Sequence, residues 1–223
     1  MRHQPIKVKT AKNRSISSTS WLKRQLNDSF VLKAKADGYR SRAAYKLIEI
    51  DEKFSLIKPA SLIIDLGAAP GGWSQICAKK LGKKGKIVAV DILEMQEMQG
   101  VEIIQGDFCD TQIQSKIIKI FTKKADIILS DMAPNTTGHK ETDHLKIIDL
   151  CERVIDFTEI ILNNGGSMIL KIFQGGAQGE LLAKIKKDFS VVKHFKPVSS
   201  RKDSSELYLI AMDYKKRVSR HIL

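Results

Sequence analysis

Beyond Lys58-Pro59 the chain alternates short runs rich in Val, Ile and Leu with longer amphipathic stretches, and that alternation limits the fold more than any other feature. Apolar runs bounded by Gly, Asp and Asn read as strands buried on both faces, and the stretches between them as covering helices. Strands are expected at residues 62–65, 87–91, 102–105, 126–130, 167–173, 191–195 and 207–212, with helices mainly at 73–81, 113–121, 143–163 and 180–189. Only the loop 196–206 separates the last two strands, so they can pair as an antiparallel hairpin where the earlier ones need crossovers. The predicted class is α/β: a doubly wound, mostly parallel seven-stranded sheet whose last strand is antiparallel.

Upstream of the sheet the texture differs. Residues 1–20 are polar, basic and aperiodic and read as a flexible extension; residues 21–58 carry Trp21, Leu22, Leu26, Phe30, Ala44, Tyr45, Leu47 and Ile48 at helical spacing, broken at Asp37-Gly38, which predicts two helices around a turn. The sheet domain then spans 59–215, followed by a short tail, 216–223. A chain of 223 residues suits one well-buried domain with an appendage. Its net charge of +13 points to a polyanionic partner, nucleic acid before an anionic membrane. No apolar run approaches the roughly 20 residues that cross a bilayer. Cys77, Cys109 and Cys151 are scattered singly without a CxxC pair, which argues against disulfides and structural zinc and fits a reducing compartment. A cytoplasmic monomer is the expectation. Residues 1–27 contain no Asp or Glu, a composition that an RNA-binding arm and a mitochondrial transit peptide share.

The loop Asp65-Leu66-Gly67-Ala68-Ala69-Pro70-Gly71-Gly72-Trp73 follows the first strand and opens the first covering helix. Glycine allows a backbone to approach a ligand closely. The loop lacks both the G-x-G-x-x-G spacing of dinucleotide turns and the Lys-Ser/Thr of a phosphate loop. The alternative, for the loop read alone, is a tight strand-to-helix turn with no ligand. Asp91 ends the second strand, where a carboxylate can accept both hydroxyls of a bound adenosine ribose, and Asp107 ends the third at the same edge. A single Asp after a strand is ordinary turn or cap chemistry, but three consecutive strand ends with matching polar groups point to a ligand.

Asp131 closes the fourth strand, and Lys171 sits in Ser167-Met168-Ile169-Leu170-Lys171-Ile172-Phe173. Alternation places Lys171 on the face of Ile169 and Phe173, where an unpartnered ammonium would be costly; the bland reading is a strand-end lysine reaching solvent. Glu206 precedes the last strand, and because that strand runs antiparallel, it converges on the same edge. Lys46, on an amphipathic helix, reads from pattern alone as a wet-face residue.

Several segments together resemble the RrmJ/FtsJ family of large-subunit ribosomal RNA ribose 2′-O-methyltransferases, from about Trp21 to Tyr214. They are Ser41-Arg42-Ala43-Ala44-Tyr45-Lys46-Leu47, residues 65–75, Ser130-Asp131-Met132-Ala133-Pro134-Asn135, Lys171-Ile172-Phe173-Gln174-Gly175, and Lys196-Pro197-Val198-Ser199-Ser200-Arg201 running into Ser205-Glu206. The resemblance implies an S-adenosylmethionine-dependent methyltransferase fold and a catalytic tetrad on Lys46, Asp131, Lys171 and Glu206. It also implies a cofactor site including Gly71, Trp73, Asp91, Asp107 and Asp131. The partner it implies is ribosomal RNA within the large subunit, with a uridine of the 23S A loop as target; relatives act on tRNA or mRNA caps. Residues 1–20 match no family motif.

The expected chemistry is in-line transfer of a sulfonium methyl to a ribose oxygen, without metal, with much of the rate coming from alignment. Lys171 would take the hydroxyl proton or act as a fixed cation beside the developing alkoxide. Two other classes compete. A nicotinamide-dependent oxidoreductase suits the sheet but not the glycine spacing, and a non-catalytic ribosome-assembly factor suits the charge but has no use for Lys171 in an apolar strand.

Overall fold

The computed structural model describes residues 16–121, 123–134, 137–174 and 178–215. The expected tail 216–223 lies outside them, as does the expected extension up to residue 15; residues 16–20 belong to a helix. Among the described residues three helices, where two are expected, precede the sheet: α1 (Ile16–Asn27), α2 (Ser29–Ala36) and α3 (Ala43–Phe54). The additional break falls at Asp28, whose side chain accepts hydrogen bonds from the backbone N–H groups of Phe30 (3.0 Å) and Val31 (3.4 Å). Capping α2 in this way competes with continuing α1, and apolar periodicity does not register such a local hydrogen bond. The same carboxylate pairs with Arg42 Nη1 at 2.7 Å and Arg201 Nε at 3.2 Å, tying the start of α2 to two later segments.

All seven expected strands form: β1 (Leu62–Leu66), β2 (Lys86–Asp91), β3 (Val101–Gln105), β4 (Ala125–Ser130), β5 (Leu162–Phe173), β6 (Phe189–Phe195) and β7 (Glu206–Tyr214). Their order is β3-β2-β1-β4-β5-β7-β6. The first five pair in parallel, and β7 lies between β5 and β6, antiparallel to both. The covering helices are α4 (Gly72–Leu81), α5 (Thr111–Ile120), α6 (Lys140–Ile161) and α7 (Gln178–Asp188). One strand boundary differs from the sequence reading by more than three residues. Asn163-Asn164-Gly165-Gly166 has turn composition, yet β5 begins at Leu162, which pairs with Ala125 before the register shifts and Ile127 meets Ser167. The polar stretch is carried as an irregularity in the ladder, with Gly165 at φ +75°.

Alternation along the strands builds two apolar layers. Ile64, Val88, Ile128 and Leu170 face α5, α6 and α7, where Ile117, Val154, Phe157 and Ile185 meet them. On the other face, Ile63, Ile87, Ile127 and Ile169 meet Leu47 and Ile50 of α3 and Ile76 and Cys77 of α4. Each side chain so buried contributes about 1.5–3 kcal/mol. Through α3 the segment 21–58 thus shares the core of the sheet domain, which fixes where that helix places its polar residues. Phe173, expected beside Ile169, packs instead with the α5–α7 layer at the strand end.

β1 also carries a carboxylate into this core. Asp65 is completely buried, and Ser74 Oγ donates to its Oδ2 at 2.6 Å. Burial pushes the carboxyl up to about 7; the Ser74 hydroxyl opposes this, and the negative charges of Asp131 and Asp91 add to it.

Two outcomes are expected. Asp28→Ala should lower unfolding free energy by about 1–2 kcal/mol in denaturant titrations, the scale of a lost helix cap, while Asp28→Asn, which keeps the acceptor, should lose less. For Asp65, the unfolded chain ionises at the ordinary 3.8 while the folded chain holds its proton to about 7. Across that window the native state binds more protons, so stability falls as pH rises. Asp65→Asn should therefore gain on wild type, in unfolding free energy, as pH is raised from 4 to 7; a difference independent of pH would contradict the buried, protonated carboxyl.

Candidate active site

The loop from β1 into α4 needs glycine at two points. Gly67 (φ +72°) lies against Met132, whose side chain a Cβ would meet at 2.7 Å and whose backbone at 2.9 Å. Gly71 (φ +103°) precedes α4, and a Cβ there would stand 3.0 Å from Met98 and 3.1 Å from Arg40 and from Met95. Close approach is the reason to expect a ligand at these glycines; at both, the approaching groups are protein atoms, Met132 at Gly67 and Met98, Arg40 and Met95 at Gly71.

Beside the loop, at the carboxyl ends of β1, β2, β3 and β4, opens a cleft of about 800 Å³. Gly67 and Ala69, Asp91 and Asp107, Asp131 and Met132 line it, with Leu145 and Lys146 of α6 opposite. Asp91 Oδ2 accepts from Ala69 N (2.9 Å) and Oδ1 from Leu93 N (2.8 Å), so the loop itself orients this carboxylate. Asp107 Oδ1 accepts from Cys109 N at 2.8 Å, the turn chemistry of the bland reading, and its side chain still lines the cleft. Each carboxylate oxygen retains capacity for a further donor. Three apolar side chains at the rim, Ile92, Leu93 and Leu145, are 61%, 63% and 61% exposed, surface that a flat apolar ring would cover.

Of the five expected cofactor residues, Asp91, Asp107 and Asp131 line the cleft, whereas Gly71 and the Trp73 side chain do not. The Trp73 ring is buried in the α3–α4 layer, its Nε1 donating to Ala43 O at 2.9 Å, 5.7 Å from the ring of Tyr208. An indole at the start of an amphipathic helix serves that core, while Gly67 and Ala69 bring the loop to the cleft.

The four expected catalytic residues converge. Lys46, from α3, is held by Glu206 at 2.7 Å to Oε1 and 2.8 Å to Oε2, and lies 3.9 Å from Asp131 Oδ2. Lys171 Nζ sits 3.1 Å from Asp131 Oδ1 and donates to the Asp131 backbone carbonyl. Both lysines are buried, at 9% and 8% exposure, so their ammonium groups are held by these partners and not by solvent. Burial pushes the Asp131 carboxyl up, but Lys171, Lys46 and a hydrogen bond from Tyr208 together hold it below the ordinary carboxylate range.

Tyr208 is the residue that sequence reasoning missed. Its hydroxyl accepts from Lys46 at 3.0 Å and donates to Asp131 Oδ1 at 2.7 Å. Burial, then Asp131 and Glu206, push this phenol well above its usual range and keep it protonated as a donor. The signal was available: Tyr208 follows Glu206 by two along a strand and pairs across the sheet with Lys171. Behind the cluster, Ser200 Oγ donates to Glu206 Oε1 at 2.9 Å, and the Ser199 N–H donates to Glu49 Oε1 of α3 at 2.9 Å. The β6–β7 loop is thereby fastened to the helix that carries Lys46. Asn135 and Gly175, quoted among the motifs, lie outside the described residues.

Two carboxylates and two ammonium groups beside a cleft lined by further carboxylates can position a hydroxyl against a cationic electrophile. Comparison with known proteins points the same way. The family described as FtsJ-like methyltransferase matches residues 39–214. The chain is 52% identical to the ribosomal RNA large subunit methyltransferase E of Rickettsia bellii, covering 96% of each chain, and 54% identical to that of Azorhizobium caulinodans, covering 94% of this chain and 89% of the relative. Among solved structures, a Plasmodium falciparum chain described as a ribosomal RNA methyltransferase aligns over 80% of this chain and 100% of its own at 34% identity and a TM-score of 0.72. Fibrillarin from Aeropyrum pernix, whose structure holds bound S-adenosyl-L-methionine, shares the fold at 15% identity and a TM-score of 0.53, over 76% of each chain. The match across the whole sheet domain sets aside the oxidoreductase and non-catalytic readings: this chain belongs to the FtsJ-like methyltransferase family.

Proposed function

We propose that the chain methylates a ribose 2′-hydroxyl of ribosomal RNA with S-adenosylmethionine as donor, its target being a uridine of the 23S A loop in the large subunit. The observation that carries this reading is the Lys46–Asp131–Lys171–Glu206 cluster, its two lysines buried, standing against the acid-lined cleft. The names of the relatives at about half identity support the choice of RNA.

The cleft fits the donor chemically. Asp91 offers oxygens to ribose hydroxyls, Asp107 an acceptor for an exocyclic amine, and Ile92, Leu93 and Leu145 apolar cover for a purine ring. Gly71 and Trp73 enter this reading only through backbone, Trp73 as one of the first-turn amides of α4 that helix geometry leaves without intrahelical partners. When bound, the donor supplies a positively charged sulfonium bearing an electrophilic methyl group, and the carboxylate lining suits that charge.

The protein's part is to hold the attacking oxygen and manage its proton. Lys171 is the group assigned to meet the 2′-oxygen. As a neutral amine it takes the hydroxyl proton; as an ammonium it stabilises the charge that develops on oxygen. Asp131, Glu206 and Tyr208 orient the two amines. RNA is drawn by the net charge of +13, of which exposed Lys33 and Lys35 on α2 present a share beside the helix that carries Lys46.

Mapping ribose methyl groups across large-subunit RNA from cells with and without this gene should show one A-loop uridine that loses its mark; an unchanged map contradicts the proposed target. Lys171→Ala should bind S-adenosylmethionine nearly normally yet lose about 100-fold or more in single-turnover methyl transfer. Lys171→Arg keeps the charge but cannot usefully lose a proton, so it retains substantial rate under the fixed-cation role and little under the base role. A near wild-type rate for Lys171→Ala removes it from the chemistry.

A further inference from the structure

Arg40 lies in the short connection between α2 and α3, away from the tetrad, and its guanidinium is spent on backbone carbonyls. Nη1 donates to Pro70 O (3.3 Å) and Gln96 O (2.8 Å), and Nη2 to Glu97 O (2.6 Å). Pro70 belongs to the loop after β1, while Gln96 and Glu97 belong to the loop between β2 and β3. The latter, residues 92–100, contains no helix or strand, so its carbonyls have no ladder to join. It begins directly after Asp91 and carries Ile92 and Leu93 to the cleft. Met95 of the same loop is buried against Ala68 and Ala89. Arg40 therefore clamps together two of the loops that border the cleft, the one after β1 and the one after Asp91.

The clamp also accounts for Gly71. A Cβ at that position would stand 3.1 Å from Arg40 Nη1 and about as close to Met95 and Met98, so the glycine leaves room for the guanidinium to reach Pro70 O. Arg40 is fixed from behind: its own N–H donates to Gln75 Oε1 at 2.9 Å, and Gln75 Nε2 donates to Gly38 O at 2.9 Å, joining the connection to α4. Six residues on, the same chain supplies Lys46. Lysine cannot replace this arrangement, because a single ammonium does not reproduce the planar fork that reaches three carbonyls in two loops.

We infer that Arg40 is a positioning residue for the methyl donor: it holds the Asp91–Gly100 loop against the loop after β1, and so sets donor affinity from the α2–α3 connection without touching the reacting atoms. This rests on the donor reading of the cleft given above. The test uses the full chain. By calorimetry, Arg40→Gln should bind S-adenosylmethionine about tenfold or more weakly, Arg40→Lys should recover only part of the loss, and methylation of undermethylated large subunits should lose through KM for the donor more than through kcat. Amide hydrogen exchange at residues 95–100 of the donor-free Arg40→Gln protein should speed up relative to wild type, with exchange in β1 and β4 unchanged. Donor affinity equal to wild type, or a loss confined to kcat, overturns the inference, and so does unchanged exchange in the loop. Failure of the wild-type chain itself to bind the donor would instead overturn the reading of the cleft, while the exchange measurement would still judge the clamp.

Discussion

Two ammonium groups, Lys46 and Lys171, are held inside this protein by the carboxylates of Asp131 and Glu206, and the candidate site depends on that buried exchange of charge. Both lysines are buried, so these carboxylates meet their side-chain nitrogens in place of water. Removing one member of such a group typically costs about 3–5 kcal/mol, because the opposite charge is left buried without a partner. Asp131 stands at the centre: its carboxylate meets Lys171, Lys46 and the Tyr208 hydroxyl, its backbone carbonyl accepts from Lys171, and its residue also lines the cleft. The acid-lined cleft and the charged cluster thus have Asp131 in common.

The fold makes this convergence possible by topology. Parallel strands β4 and β5 deliver Asp131 and Lys171 at one edge, and the insertion of antiparallel β7 between β5 and β6 brings Glu206 and Tyr208 to the same edge from the opposite chain direction. Lys46 arrives on α3 because Ala44, Leu47 and Ile50 are fully buried beneath the sheet, which fixes the helix's rotation. The loops are then fastened to this frame by charged side chains acting on backbone groups: Arg40 on Pro70, Gln96 and Glu97, and Glu49 on Val198 and Ser199. Precision at the site comes from rigid elements, and the loops take their places from them.

The strands were legible because each apolar run reports burial on both faces, and Asp91, Asp107 and Asp131 because they stand where runs end. Lys171 was visible as a charge in an apolar strand. Lys46 was not visible from pattern, since the face of α3 that carries it is polar by composition and buried only by the arrival of β7 and its loop; the family motif alone selected it. Trp73 and Gly71 show how little the sequence says about where a side chain in this loop goes. Both stand in the loop after β1, yet the indole packs in the α3–α4 core and the glycine lies against Arg40, contacts that depend on residues about 30 positions earlier and about 25 later. The break at Asp28 and the irregular start of β5 were hidden for a related reason: a carboxylate cap and a ladder bulge are single hydrogen-bonding events that periodicity averages away.

Under the proposed function, the Asp131 carboxylate organises the two lysines for methyl transfer. Asp131→Asn keeps the side chain's shape and the backbone carbonyl while removing the charge, so single-turnover transfer from tritiated S-adenosylmethionine to undermethylated large subunits is the direct measurement. The expected result is a fall of about 100-fold or more, the scale of a misplaced acid–base group, accompanied by a lower thermal midpoint because two buried ammonium groups lose their shared counter-charge. A variant that transfers methyl groups at nearly the wild-type rate would contradict it.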